Sequence, residues 1–207
     1  KLGVSELHFD ITNAIPQLSL VSMAQVIGLS AGCAVVSILF CVTMHKTPHL
    51  MKKLFKNDYL RVIAGGVIII ALTFIVGCRD YNSAGSHIIG NAISGEAKPE
   101  AFLLKIIFTA ITIGCGYKGG EIVPTLFIGS TFGCVVGAFL GLDPSFGAAI
   151  GMICLFCGVV NCPLASIILS VEIFGAQGLI LFAIGCAVSY MLSGYYGLYS
   201  SQKILYS

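Results

Sequence analysis

The six residues Gly119-Gly120-Glu121-Ile122-Val123-Pro124 have the types and order needed to bind a small anion through backbone alone. Pro124 has a fixed φ and no N–H, so it belongs in the first turn of a helix. The N–H groups around Glu121, Ile122 and Val123 then lack intrahelical acceptors. Free N–H groups and the helix dipole together attract an anion, and no cationic side chain is required. The two glycines leave the backbone free to turn sharply into the helix. Neutral donors suit an ion that must bind and also leave. Taken alone, the segment also fits an ordinary loop-to-helix junction.

Glu121 stands out within it. A charged side chain at the centre of a transmembrane helix costs about 2.5–3.5 kcal/mol on insertion scales, which makes such a residue a functional candidate. A helix N-terminus lowers that cost, so capping is the structural alternative. An ionised Glu121 is not expected to face the bound anion, because like charges about 4 Å apart repel by several kcal/mol at an effective dielectric of about 20. It is expected to turn to a polar partner, cap the helix, or be protonated. Pro163 marks a second helix start within apolar sequence. Helices that begin at membrane depth are tolerated where they line a protein-enclosed cavity, and transporters use them to aim positive helix ends at an anion.

The elements that must position these residues belong to a membrane protein. Of the 207 residues 57% are hydrophobic and 10% charged, with a mean hydropathy of +0.98. A soluble domain carries about 25% charged residues, so this chain has too few to cover a water-facing surface. No Asp, Glu, Lys or Arg occurs between Ile11 and Met44, Val62 and Cys78, Ile122 and Leu142, or Pro144 and Val171. Roughly 20 helical residues cross a ~30 Å hydrocarbon core. The pattern predicts a long helix or helix pair over 18–44, a basic loop over 45–61, helices over 62–78 and 101–117, and broken helices from 119 to 192. The polar stretch 79–100 should lie outside the membrane or dip partly into it. Gly129, Gly133, Gly137 and Gly141 recur every fourth residue and should let another helix approach closely.

His45, Lys46, His49, Lys52, Lys53, Lys56 and Arg61 cluster in the basic loop, and the positive-inside bias puts it in the cytoplasm. A nucleic-acid partner is not expected. No charged n-region precedes a short apolar segment at the start, so no cleavable signal peptide is expected. Nine cysteines lie scattered in the apolar runs. Cys154-Leu155-Phe156-Cys157 has a redox or metal spacing, yet no second pair or nearby His completes a site; the thiols read as small packing groups. No metal, cofactor or enzymatic activity is expected. A membrane-embedded enzyme using Cys154, Cys157 or Glu172 would need a histidine or second acid at membrane depth.

Three segments carry a family resemblance. Gly120 and Pro124 match the fixed positions of the Gly-x-Phe-x-Pro selectivity motif of the CLC chloride channels and proton-coupled anion exchangers, with Ile122 replacing Phe. The run from Asn161 through Pro163 to Glu172 resembles that family's Ala-Pro-Leu-Thr-x-Ile-Ile-Leu-x-x-Glu helix. Gly197-Leu198-Tyr199-Ser200 resembles its Pro-Leu-Tyr-Ser segment. The resemblance runs over essentially all of residues 1–207, read as one partial transmembrane domain. It implies an all-α, polytopic fold, the C-terminal repeat of an inverted-repeat transporter with broken helices. It also implies that the backbone of Gly120, Glu121, Ile122 and Val123 lines an anion site, flanked by the helix starters Gly119, Pro124 and Pro163. The Tyr199 hydroxyl would donate to the same ion, whereas Tyr199 read alone is an interfacial belt residue.

The implied function is transmembrane transport of halide, chloride ahead of fluoride, as part of a channel or proton-coupled antiporter in a bacterial plasma membrane. Glu121 resembles the Gly-Gly-Glu-Val-Thr-Pro form of the fluoride-exporting branch, although Val123 stands where that branch has Thr. A transport-dead structural subunit is the alternative outside transport. The resemblance places the family's gating glutamate and proton glutamate before residue 1. It also implies a homodimer in the lipid bilayer, with Ile167, Ile168, Leu181 and Ile184 in the contact.

Overall fold

Polar caps and left-handed residues cut the apolar sequence into separate helices in the computed structural model, which describes residues 9–199. They are α1 (Leu20–Leu54), α2 (Asp58–Val76), α3 (Ser86–Ile93), α4 (Ala101–Gly114), α5 (Ile122–Phe139), α6 (Pro144–Val160), α7 (Pro163–Phe174) and α8 (Leu179–Ser193). Ser19 and Ser22 cap α1 reciprocally, and the side chains of Asn57 and Asp143 accept from the N–H groups of Tyr59 and Ser145. Gly77 at φ 73° ends α2, and Asn161 at φ 54° ends α6. Among the described residues three helices, α1, α2 and α5, are long and apolar enough to cross a membrane.

The basic cluster is a correction. It does not form a loop from 45 to 61, because α1 continues through Pro48 to Leu54 and only residues 55–57 join it to α2. Pro48 removes one backbone bond, but helix packing holds the turn. Thr43 and Thr47 donate their hydroxyls to the carbonyls of Leu39 and Thr43, each at 2.7 Å. Thr47 also lies against Gly114 of α4, where a Cβ would come within 2.6 Å of its methyl carbon. His45 and His49 are therefore helical residues. Between 79 and 100 the polar stretch contains α3, which buries Ile89, Ala92 and Ile93.

The tightest packing joins α5 and α6. A Cβ on Gly129 would fall 2.6 Å from the Gly151 carbonyl oxygen, and one on Gly137 would fall 2.8 Å from the Gly147 Cα. Gly133 meets the backbone of both Gly147 and Gly151. The expected glycine ladder is thus a backbone-to-backbone seam, answered by Gly147 and Gly151 on the partner helix. Gly141 does not belong to it; it lies beyond α5 at φ 81°, where it turns the chain. Residues 129 and 137 meet 151 and 147, so the two helices are antiparallel and α5 starts where α6 ends.

Leu181 also departs from expectation. It is 2% exposed inside this fold, so it is not available to a second subunit. Ile168 is exposed, whereas Ile167 and Ile184 are half-buried. The side chain of residue 181 follows the inner face of α8, whose apolar residues looked alike from composition.

Replacing Gly133 by Leu should force the seam apart at a cost of at least about 3 kcal/mol, because the clash is with backbone and not with a movable side chain. Gly90→Ala on α3, where nothing lies within 4 Å, should be tolerated. Thermal midpoints of the two variants in detergent check the contrast; equal midpoints would contradict the seam.

Candidate functional site

The helix start predicted at Pro124 is present. Glu121 occupies the N-cap position at φ −99°, ψ −19°, Ile122 is the first helical residue and Pro124 the third. The first backbone bond of the helix runs from the Thr125 N–H to the Glu121 carbonyl at 3.2 Å, and the Thr125 hydroxyl donates to the same oxygen at 2.8 Å. The N–H groups of Gly120, Glu121, Ile122 and Val123 take no acceptor among the described residues. Ile122 and Val123 are 46% and 39% exposed, so neither residue is packed into the core formed by this chain.

The glycines contribute differently from the expectation. Neither Gly119 nor Gly120 has a positive φ; the sharp turn is made earlier, at Gly116 with φ 103°. Nothing lies within 4 Å of the position a Cβ would take on Gly119 or Gly120. Their lack of a side chain keeps the approach to the N–H groups clear. The loop before them is held to the first turn of α2. Arg61 donates to the Cys115 carbonyl at 3.4 Å while pairing with Asp58 at 2.8 Å, and the Tyr117 hydroxyl donates to the Val62 carbonyl at 2.9 Å.

Glu121 makes no side-chain capping bond, which removes capping from the three roles expected of it. It is half-buried and lies within electrostatic reach of Cys41 and His45 of α1. His45 thus stands near the site, whereas the sequence placed it in the basic loop.

Pro163 is the first residue of α7, preceded by Cys162 as N-cap. The break before it is made by Asn161, a buried residue and the one non-glycine with positive φ among the described residues. Its side-chain amide donates to the Tyr196 carbonyl at 3.1 Å and its side-chain oxygen accepts from Ser193 at 3.5 Å. One residue pair further on, the Leu198 N–H donates to the Val159 carbonyl at 3.0 Å. These bonds moor the segment before Tyr199 to the C-terminal end of α6. Since α5 begins at that same end, Tyr199 and the α5 N-terminus occupy one end of the α5–α6 pair. Tyr199 is 42% exposed, and Ser200 lies outside the described residues.

Other sequence candidates lie elsewhere. Glu172 is exposed on α7. Cys154 and Cys157 are buried in α6, the latter donating to the Cys186 carbonyl at 3.5 Å. Sequence reasoning passed over Asn161, whose signal was a turn-forming residue directly before Cys162-Pro163. It also passed over Lys105, a lone ammonium inside the apolar run of α4.

Comparisons place the chain among known proteins. The family model described as voltage gated chloride channel matches residues 3–194. A protein of Pseudomonas syringae pathovar tomato named chloride/fluoride channel protein is 32% identical over 99% of this chain and 46% of its own length. A Vibrio vulnificus H(+)/Cl(-) exchange transporter is 28% identical over 62% of this chain and 30% of its own. The crystal structure of a CLC-type fluoride/proton antiporter superposes with a TM-score of 0.92 and 27% identity, over 98% of this chain and 51% of that one. The chain spans about half, or less, of the length of these relatives.

Asn161→Ala should lose both side-chain bonds and place alanine in a left-handed conformation, destabilising the protein by about 2 kcal/mol. Asn161→Gly keeps the conformation and should cost less. Thermal unfolding of the two variants ranks them; a glycine variant as unstable as the alanine would contradict a backbone role.

Proposed function

The chain belongs to the voltage-gated chloride channel family, and from that premise we propose that it forms the C-terminal half of a transmembrane halide pathway. The free N–H groups opening α5 and the Tyr199 hydroxyl hold the ion. The observation that carries this reading is the set of N–H groups at the start of α5 without an acceptor among the described residues, at the end of the helix pair where the Tyr199 segment is moored. Neutral donors of this kind attract an anion without trapping it.

Fluoride is the ion this site favours. Glu121 replaces the apolar residue usual in the selectivity motif, and its carboxyl group makes no capping bond. Protonated, it is a donor beside a fluoride, the halide that accepts hydrogen bonds most strongly; ionised, it repels any anion at the α5 terminus. This couples occupancy of the site to protonation of Glu121, and the likeness to a fluoride/proton antiporter supports exchange as the direction of that coupling. The likeness over nearly the whole chain to a fluoride/proton antiporter supports the same ion. Chloride is the second reading, supported by the matched Gly120 and Pro124 and by the similarity to proton/chloride exchangers. The protein works as a homodimer in a bacterial plasma membrane, and the subunit contact uses exposed apolar residues such as Leu164 and Ile168.

Efflux of fluoride and of chloride from proteoliposomes of the intact transporter tests the reading. Fluoride efflux should exceed chloride efflux, and the interior of the proteoliposomes should acidify as fluoride leaves; absence of any halide flux overturns transport itself. Tyr199→Phe, which deletes one hydrogen bond worth about 1 kcal/mol, should weaken halide binding about fivefold. Glu121→Gln should change ion selectivity and the pH dependence of flux while leaving the thermal midpoint close to wild type. A Glu121→Gln protein with wild-type selectivity and pH dependence contradicts the role given to the carboxyl group.

A further inference from the structure

The basic residues expected in a loop form instead the exposed end of α1, where no acid answers them. Lys46, Lys52 and Lys53 on the helix and Lys56 in the turn after it are all exposed. No Asp or Glu occurs between residues 11 and 57. Asp58, the first acid to follow, is paired with Arg61 at 2.8 Å, and the other ion pair among the described residues is His87–Asp80. The dipole of α1 favours cations in its last turn, which holds Lys52 and Lys53. It does not account for Lys46, two turns earlier, or for Lys56, beyond the helix end.

The depth of these groups follows from helix length. The 35 residues of α1 extend ~52 Å at about 1.5 Å per residue, against a hydrocarbon core of ~30 Å. The uncharged part, residues 20–44, is long enough to cross that core, so the lysines emerge at the level of the lipid headgroups. The exposed face is mixed in character. Lys46, His49, Leu50, Lys53 and Leu54 follow one another at helical spacing and share one side, while Met44, Thr47 and Met51 turn towards the protein. Leu50 and Leu54 are exposed, as are Tyr59 and Leu60 on the adjoining first turn of α2. Ammonium groups and apolar side chains therefore stand side by side on one surface.

We propose that the exposed end of α1, with the turn into α2, is a docking surface for anionic phospholipid. Lys46, Lys52, Lys53 and Lys56 take the headgroup phosphates, and Leu50, Leu54, Tyr59 and Leu60 take the upper part of the acyl chains. Charge and composition together select this occupant. A soluble phosphate or polyanion meets the lysines but leaves the four apolar side chains in water. A second copy of the same surface sets ammonium against ammonium. An anionic lipid satisfies both sets of groups, and each lysine near an anionic bilayer surface contributes about 1 kcal/mol. The proposal requires only that the chain spans a membrane, so it stands whichever halide is carried.

The test is native mass spectrometry of the intact transporter in neutral detergent, with equal amounts of phosphatidylglycerol and phosphatidylcholine added, at low and high ammonium acetate. Phosphatidylglycerol should be retained over phosphatidylcholine about tenfold at low salt, and the preference should fall severalfold at high salt, where surface charge is screened. The combined variant Lys46→Gln, Lys52→Gln, Lys53→Gln should reduce the preference to about twofold or less, and the corresponding three changes to Arg should keep it. Lys98→Gln, which removes an exposed charge before α4, should leave the preference unchanged. A large excess of glycerophosphate should not displace the lipid; displacement would mean a soluble-phosphate site and overturn the lipid assignment. Equal retention of the two lipids, or a preference that the glutamine variant keeps, overturns the proposal, and the face then serves a protein partner or another part of the transporter. Should the glutamine variant fail to fold, the wild type decides, because a preference that salt does not weaken overturns the role of the lysines.

Discussion

The backbone contact between α5 and α6 is the constraint on which the rest of the structure depends. In lipid there is no hydrophobic force to press two apolar helices together, so close packing of small residues must do it. Gly129, Gly133 and Gly137 face Gly147 and Gly151 with no side chain between them. Such a seam has one register, because sliding either helix brings side chains into the other backbone. The antiparallel register then decides where α5 begins. Its N-terminus lies beside the C-terminus of α6, and every residue of the candidate site is placed by that fact.

Two further sets of bonds use this fixed end. On one side, Arg61 and Tyr117 hold the loop before α5 against α2. On the other, Asn161 ends α6 and its side chain, with the Val159 carbonyl, holds the segment from Tyr196 to Leu198. An unpaired donor shut away from water costs about 1–3 kcal/mol. The N–H groups opening α5 have no acceptor among the described residues, and a bound anion or water offsets that cost. The Thr125 hydroxyl, by sharing the Glu121 carbonyl, keeps the first turn closed without occupying those donors.

The all-helical membrane class, the helix starts at Pro124 and Pro163 and the family were all legible in the sequence, because each rests on local residue types. Proline in a first turn, long uncharged runs and a short motif need no knowledge of partners. What failed depended on packing. Pro48 and the basic residues read as a loop, yet threonine hydroxyls and the contact with Gly114 carry α1 through them. Gly119 and Gly120 read as the turn, which the chain makes at Gly116 instead. Leu181 looked like any other apolar residue of the last helices, and only the fold turns it inward. Lys105 and Asn161 gave weak local signals because their partners are 24 and 35 residues away.

The central claim is that neutral backbone donors at the start of α5 hold the transported ion. It is tested most directly by nuclear magnetic resonance of the intact transporter, ¹⁵N-labelled at isoleucine and valine, during titration with fluoride and with chloride. The account predicts saturable shifts of the Ile122 and Val123 amide signals over the concentration range in which flux saturates, while Ile63 and Val67 on α2 stay still. Flux that saturates while the Ile122 and Val123 amides do not move would contradict it.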